Sequence, residues 1–174
     1  MLFRSLRPFE EEVARLDTIP GVGQRIAEII IAEIGLDMTR FATSGHLASW
    51  AGMCPGNNES AGKRKGGKTR KGSIWLRRAL TEAARAAART KSTYLSAQYR
   101  RLVVRRGAKR AAIAVGHAIL IIAYNLIKKG DTYRDLTPTH LDERRRHRVA
   151  QRALQQLRTL GYRVTITPPQ EVAA

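Results

Sequence analysis

"AAIAVGHAILIIAYNLI", residues 111–127, runs for 17 residues without a charge. A membrane-spanning helix asks for about 20 predominantly apolar residues, and this run also holds Gly116, His117 and Asn125. It therefore reads as the buried helix of a helical core, and no membrane partner is expected. The helical pattern extends from Ala108 to Lys129, with Gly130 as its stop. Upstream, Thr93 to Arg106 predicts a second helix, and "SIWLRRALTEAARAA" from Ser73 predicts a third. In the third, Trp75, Leu76, Ala79, Leu80, Ala83 and Ala87 form one apolar face, while Arg77, Arg78, Arg85 and Arg89 lie outside it.

Further from the centre the signals remain helical. "GHLASWAG" is a short helix that Thr43 or Ser44 caps. "IPGVGQRIAEIIIAEIG" supplies a glycine-rich turn, a helix from Gln24 to Ile34 and a stop at Gly35. Phe9, Val13 and Leu16 make a short apolar stripe, which reads as the end of a connecting helix from a missing N-terminal region. After Gly130 comes a charged helix near His140 to Leu160, then a short β-prone "YRVTIT". The expected fold class is all-α in three segments: 1–18 the end of a connecting helix, 19–130 the main helical domain, and 131–174 a charged helical tail.

Composition says what such a fold meets. Of the 174 residues 43% are hydrophobic, enough to bury a core, and the net charge is +18, which calls for a polyanionic partner. Residues 1–37 carry −3, residues 38–130 carry +18, and residues 131–174 carry +3. The excess lies in the middle. A single cysteine, Cys54, excludes an internal disulfide and a cysteine metal cluster, and fits a reducing compartment. The first residues, "MLFRSLRPFEEE", have no apolar signal region.

Two places in the chain suit phosphate. In "IPGVGQRIA" a Pro-Gly-x-Gly turn feeds directly into a helix, so Gly21, Val22 and Gly23 are candidate phosphate-binding residues. Glycine lets the backbone approach a phosphate, and the first N–H groups of a helix favour an anion. The turn resembles the helix-hairpin-helix motif, although a plain interhelical turn uses glycine in the same places. The second place is "PGNNESAGKRKGGKTRKG", residues 55–72, a basic glycine-rich loop expected to be mobile until bound. Lys63, Arg64, Lys65, Lys68, Arg70 and Lys71 lie in it, with Arg77 and Arg78 just beyond.

Residues 38–130 contain only two carboxylates, Glu59 and Glu82. The three or four acids that usually hold catalytic metal ions in a DNA-processing site are not there, so no metal site is expected in this domain. Hydroxyls are the remaining nucleophiles. Ser60 stands out by position, on the turn before the lysine run, where the cations neutralise a phosphodiester and its more highly charged transition state. The same serine is equally a polar loop residue. None of the four histidines has a carboxylate placed by motif to orient it, which argues against a hydrolase triad.

"IPGVG" at 19–23, Phe41, Leu47, "WAGMCPGNNESAGKRKGGKTRKG" at 50–72 and "WLRRALTEAARAA" at 75–87 together resemble the C-terminal domain of the insertion-sequence one-ten transposases (the IS116/IS110/IS902 type). The resemblance covers roughly residues 15–130. It implies a helical domain that binds DNA and supplies a serine nucleophile, here Ser60, for a phosphoserine DNA intermediate. It further implies an N-terminal RuvC-like domain with a DEDD carboxylate set, which binds magnesium. This chain is then expected to hold no cofactor itself and to be a truncated or decayed piece of the recombinase. The partners implied are DNA, a bridge-type guide RNA and further copies of the full-length protein, in the bacterial cytoplasm at the nucleoid. Many relatives have glycine directly after the serine, where this sequence has Ala61-Gly62. Two other readings use the same residues: a non-catalytic DNA- or RNA-binding module, and, from size and charge alone, a ribosome-associated structural protein.

Overall fold

The computed structural model describes residues 9–56, 58–66, 69–135 and 139–164. It divides into two units, one up to residue 138 and the other from residue 139 onward. The first unit holds α1 (Glu10–Asp17), α2 (Gln24–Ile34), a 3₁₀ turn (Met38–Arg40), α3 (Ser44–Trp50), a hairpin of β1 (Asn58–Ser60) and β2 (Lys63–Gly66), α4 (Ile74–Ala87), α5 (Tyr94–Arg106) and α6 (Ala108–Lys129). The second holds α7 (Thr139–Thr159). The protein is mostly helical, as its periodicity requires.

Helix α6 is the axis of the first unit. It is long and apolar enough, by length and composition, to cross a membrane, and here it packs against α1, α3, α4 and α5. Ala112, Val115, Ile119, Leu120 and Ala123 recur at helical spacing and are buried, each large aliphatic contributing about 2 kcal/mol. Ala27, Ile30, Ile31 and Ile34 do the same for α2. Gly35 and Gly130, at φ 71° in each case, end α2 and α6, and the side chains of Thr43, Ser73 and Thr93 cap α3, α4 and α5. The apolar stripe of α1 finds its partners inside the fold: Val13 and Leu16 are buried in the core and Phe9 packs against it.

Long-range hydrogen bonds close the unit. The Tyr124 hydroxyl donates to the Phe41 carbonyl at 3.0 Å, holding the segment before α3 on α6. The Tyr133 N–H donates to Thr18 Oγ1 at 3.0 Å, and Asp135 accepts from the Tyr133 hydroxyl at 2.7 Å and the Tyr94 N–H at 3.2 Å. Residues 131–135 thus pack on the helical unit, and the division from the tail falls after residue 138. Within the tail, the described side chains of α7 are exposed except Leu154. Tyr162 to Val164 form no strand, and residues 165–167 of the β-prone segment lie outside the described residues.

His117 sits half-buried on α6, and burial holds its imidazole below the ordinary value of 6.5. The sign follows: between its lowered folded value and 6.5 the unfolded chain binds more protons, so stability is complete above the unfolded value and declines as pH falls through that window. The melting temperature is expected to drop as pH falls below the ordinary histidine value of 6.5, and His117→Gln to flatten that slope, read by circular dichroism melts.

Candidate nucleic-acid interface

The basic segment expected as a mobile loop is a β-hairpin. β1 and β2 pair antiparallel with Glu59 opposite Arg64 and Ser60 opposite Lys63, after an irregularity between Asn58 and Glu59. Ala61 and Gly62 form the two-residue turn, at φ 51° and 72°. Positive φ at both central residues is the mark of the type I′ turn, whose twist matches that of paired strands. Gly62 adopts it freely, whereas Ala61 carries strain of about 1 kcal/mol. Position 61, where the resemblance leads one to expect glycine, is therefore one whose backbone favours it.

The foot of the hairpin is built from backbone. Pro55 and Thr69 form a single bridge. Below it Gly52, at φ 66°, and Gly72 lie so close that a Cβ on Gly72 would sit 2.3 Å from the Ala51 carbonyl carbon and 2.5 Å from the Gly52 nitrogen. No side chain fits there. Arg77 completes the joint: its Nη2 donates to the Gly52 carbonyl, to Thr69 Oγ1 at 2.9 Å and to the Arg70 carbonyl at 2.8 Å, while its Nε is buried without a partner. The Ser73 hydroxyl donates to Glu33 at 2.7 Å and caps α4, which fixes the next residues on α2.

These contacts correct the face assigned to α4. Trp75 was expected in the core and is 69% exposed, whereas Arg77, expected outside, is half-buried against the hairpin foot. As a candidate phosphate ligand Arg77 is already engaged by the chain's own carbonyls. Arg78 is exposed, as are Lys63, Arg70 and Lys71. Arg64 and Lys65 occupy β2, and Lys68 lies outside the described residues.

Ser60 is exposed, next to the turn. It lies five positions beyond Pro55 of the Pro55–Thr69 bridge, a reach of up to about 16 Å. Among the described residues no histidine, carboxylate or amine is hydrogen-bonded to its hydroxyl, and no three His, Cys, Asp or Glu side chains converge to hold a metal ion. The site therefore offers a hydroxyl and positive charge; magnesium has no fitting ligand set among these residues.

At the other candidate place, Gly21 adopts φ +86°, and a Cβ there would meet the Ala83 carbonyl oxygen at 2.4 Å and the Ala87 nitrogen at 2.5 Å. Its glycine is thus required by the approach to α4. Val22 is buried. Gly23 is exposed and precedes α2, which has neither a side-chain cap nor an acidic residue in its first turn; these are the N–H groups that suit an anion.

One cluster escaped the reading of the sequence. Arg100, Arg105, Arg106, Lys109 and Arg110 are all exposed around Gly107, where α5 turns into α6. The signal was present: no acid occurs between Ala83 and Gly130.

With this geometry in place, similarity to known proteins becomes informative. Residues 13–100, which contain the Gly21 turn, the hairpin and α4, match the model of the transposase IS116/IS110/IS902 family. The chain is 32% identical over 128 residues to the transposase for insertion sequence element IS1111A of Coxiella burnetii, covering 71% of this chain and 35% of that protein. It is 34% identical over 125 residues to the putative transposase y4pF/y4sB of Sinorhizobium fredii, covering 69% and 32%. A probable family 20 transposase of Pseudomonas aeruginosa is 28% identical over 129 residues, covering 72% and 38%. The chain spans about a third of the length of these relatives.

Proposed function

The chain belongs to the transposase IS116/IS110/IS902 family, and from that premise we propose that it is the DNA-binding part of a serine-type transposase, with Ser60 as nucleophile. The observation that carries this reading is the placement of Ser60: a hydroxyl at the exposed tip of a hairpin rooted in a rigid backbone joint, with Lys63 opposite and further cations along the segment. Its Oγ attacks the phosphorus of a DNA phosphodiester, a phosphoserine bond forms, and the bond to the departing nucleotide's oxygen breaks. The serine proton passes to a base, and the departing oxygen takes up a proton. The cations stabilise the added negative charge at phosphorus.

Among the described residues none is hydrogen-bonded to the Ser60 hydroxyl as such a base, and no three His, Cys, Asp or Glu side chains converge on a metal ion. The base and the magnesium-binding carboxylates are assigned to a RuvC-like N-terminal domain, which meets the hairpin within an oligomer, in the cytoplasm, under the direction of a bridge-type guide RNA. A protruding tip suits such a composite site better than a closed pocket does. The test is a denaturing gel for a covalent protein–DNA product from a full-length family member carrying this domain. A Ser60-dependent adduct supports the reading; recombination without one leaves only a non-catalytic binding module.

Phosphate contact by the hairpin has its own measurement. Neutralising Lys63, Arg64, Lys65, Lys68, Arg70 and Lys71 to glutamine is expected to weaken duplex binding evenly across sequences, and to reduce the slope of log affinity against log salt by about 0.9 per lost contact. An unchanged slope makes the segment a solvated surface.

A further inference from the structure

Trp75 stands in water at the head of α4, 69% exposed, with Ile74 beside it at 78%. Tryptophan is ordinarily among the most buried side chains on average. The residues that share this side of α4 at helical spacing are Arg78, Glu82 and Arg85, with Arg89 in the turn just past its C-terminal end, all exposed. Arg78, Glu82 and Arg85 thus follow the indole along about 15 Å of helix, and the Arg89 guanidinium continues the row past the helix end. An open aromatic face at the end of a row of cations is the composition of single-strand binding sites, where a base stacks on the ring and the backbone tracks the charges.

We infer that this face takes single-stranded DNA, one unpaired base stacked on Trp75 and the strand's phosphates along Arg78, Arg85 and Arg89. The inference rests on the proposal that the hairpin engages DNA, because Trp75 lies three residues after Gly72 in the hairpin foot. A strand opened at the Ser60 tip passes it. Duplex DNA keeps its base faces stacked on one another and offers the indole nothing to stack on. A second copy of this chain fits less well: a two-fold interface places the same patch on both sides and would set the arginine row against itself.

The chain has two tryptophans, Trp50 and Trp75, so Trp50→Phe leaves Trp75 as the only indole. Its fluorescence is expected to be quenched by a mixed-sequence single-stranded DNA of about 20 nucleotides, and much less by the duplex of the same sequence. Trp75→Ala is expected to weaken single-strand binding about tenfold in fluorescence anisotropy and duplex binding by less than about twofold, with Trp75→Phe recovering most of the loss. Since the side chain is exposed, the melting temperature of each variant serves as a folding check. An unquenched Trp75, or equal losses on both DNA forms, overturns the inference and leaves DNA binding by the hairpin intact. Preferential quenching by RNA of the same sequence, or loss of self-association by Trp75→Ala without nucleic acid, assigns the face to those partners and overturns it as well. Failure of the unaltered chain to bind either DNA form removes the proposal of DNA engagement and this inference together.

Discussion

Ser60→Ala, placed in a full-length family member with this domain, is expected to abolish covalent strand attachment while leaving DNA affinity within about threefold. The two effects separate because a neutral hydroxyl adds little to an affinity set by phosphate neutralisation, whereas it is the only atom on the hairpin turn able to form the ester. The substitution removes one exposed oxygen and touches no core residue, so the folded state is undisturbed. Ser60→Cys gives a second arm: a thiolate keeps a nucleophile in place but not the same phosphorus chemistry, and a large loss there points to the reacting atom and not to the shape of the turn. Normal recombination by the alanine variant, measured as product junctions and as adduct on a denaturing gel, ends the assignment of Ser60.

Gly72→Ala is expected to destabilise the domain by about 3 kcal/mol, a fall of roughly 10 °C in melting temperature. The added methyl would lie 2.3 Å from the Ala51 carbonyl carbon, 2.4 Å from its oxygen and 2.5 Å from the Gly52 nitrogen. All three are backbone atoms, so no rotamer change relieves the overlap and the two chain segments must separate. That separation draws the Gly52 and Arg70 carbonyls away from Arg77, leaving partly buried polar groups unpaired at about 1–3 kcal/mol each. DNA binding is expected to fall with stability, because the hairpin loses its foot. A Gly72→Ala protein with an unchanged melting curve would show that the crossing yields readily and that the hairpin is not held as described.

The corrections within α4 have one geometric cause. Successive helical residues differ by about 100°, so Trp75 and Arg77 fall symmetrically on either side of Leu76, at the two edges of the apolar stripe. Periodicity identifies the centre of that stripe and is silent on which edge a neighbour covers. The Ala51–Gly52 turn and Gly72 cross over the Arg77 edge, so the arginine is drawn in by carbonyls and the indole is left outside. The hairpin was hidden for a different reason. "NESAGKRKG" has none of the alternating β-branched and aromatic residues that announce strands, and its one cue, a two-residue turn ending in glycine, is also the composition of an irregular loop.

What the sequence determined by itself was local chemistry: the helices α2, α4, α5 and α6, read from apolar period in α2, α4 and α6, from the capping hydroxyls of Ser73 and Thr93, and from the glycine stops of α2 and α6, and the charge excess between residues 38 and 130. The family membership was equally legible, because the turn, the serine segment and the arginine-rich helix come in a distinctive order. Tertiary structure alone decided which glycine serves packing and which edge of α4 stays open. It also joined Pro55 to Thr69 and so rooted the hairpin that carries Ser60. Each depends on a second segment arriving from elsewhere in the chain, and hydrophobic period carries no record of which segment that is.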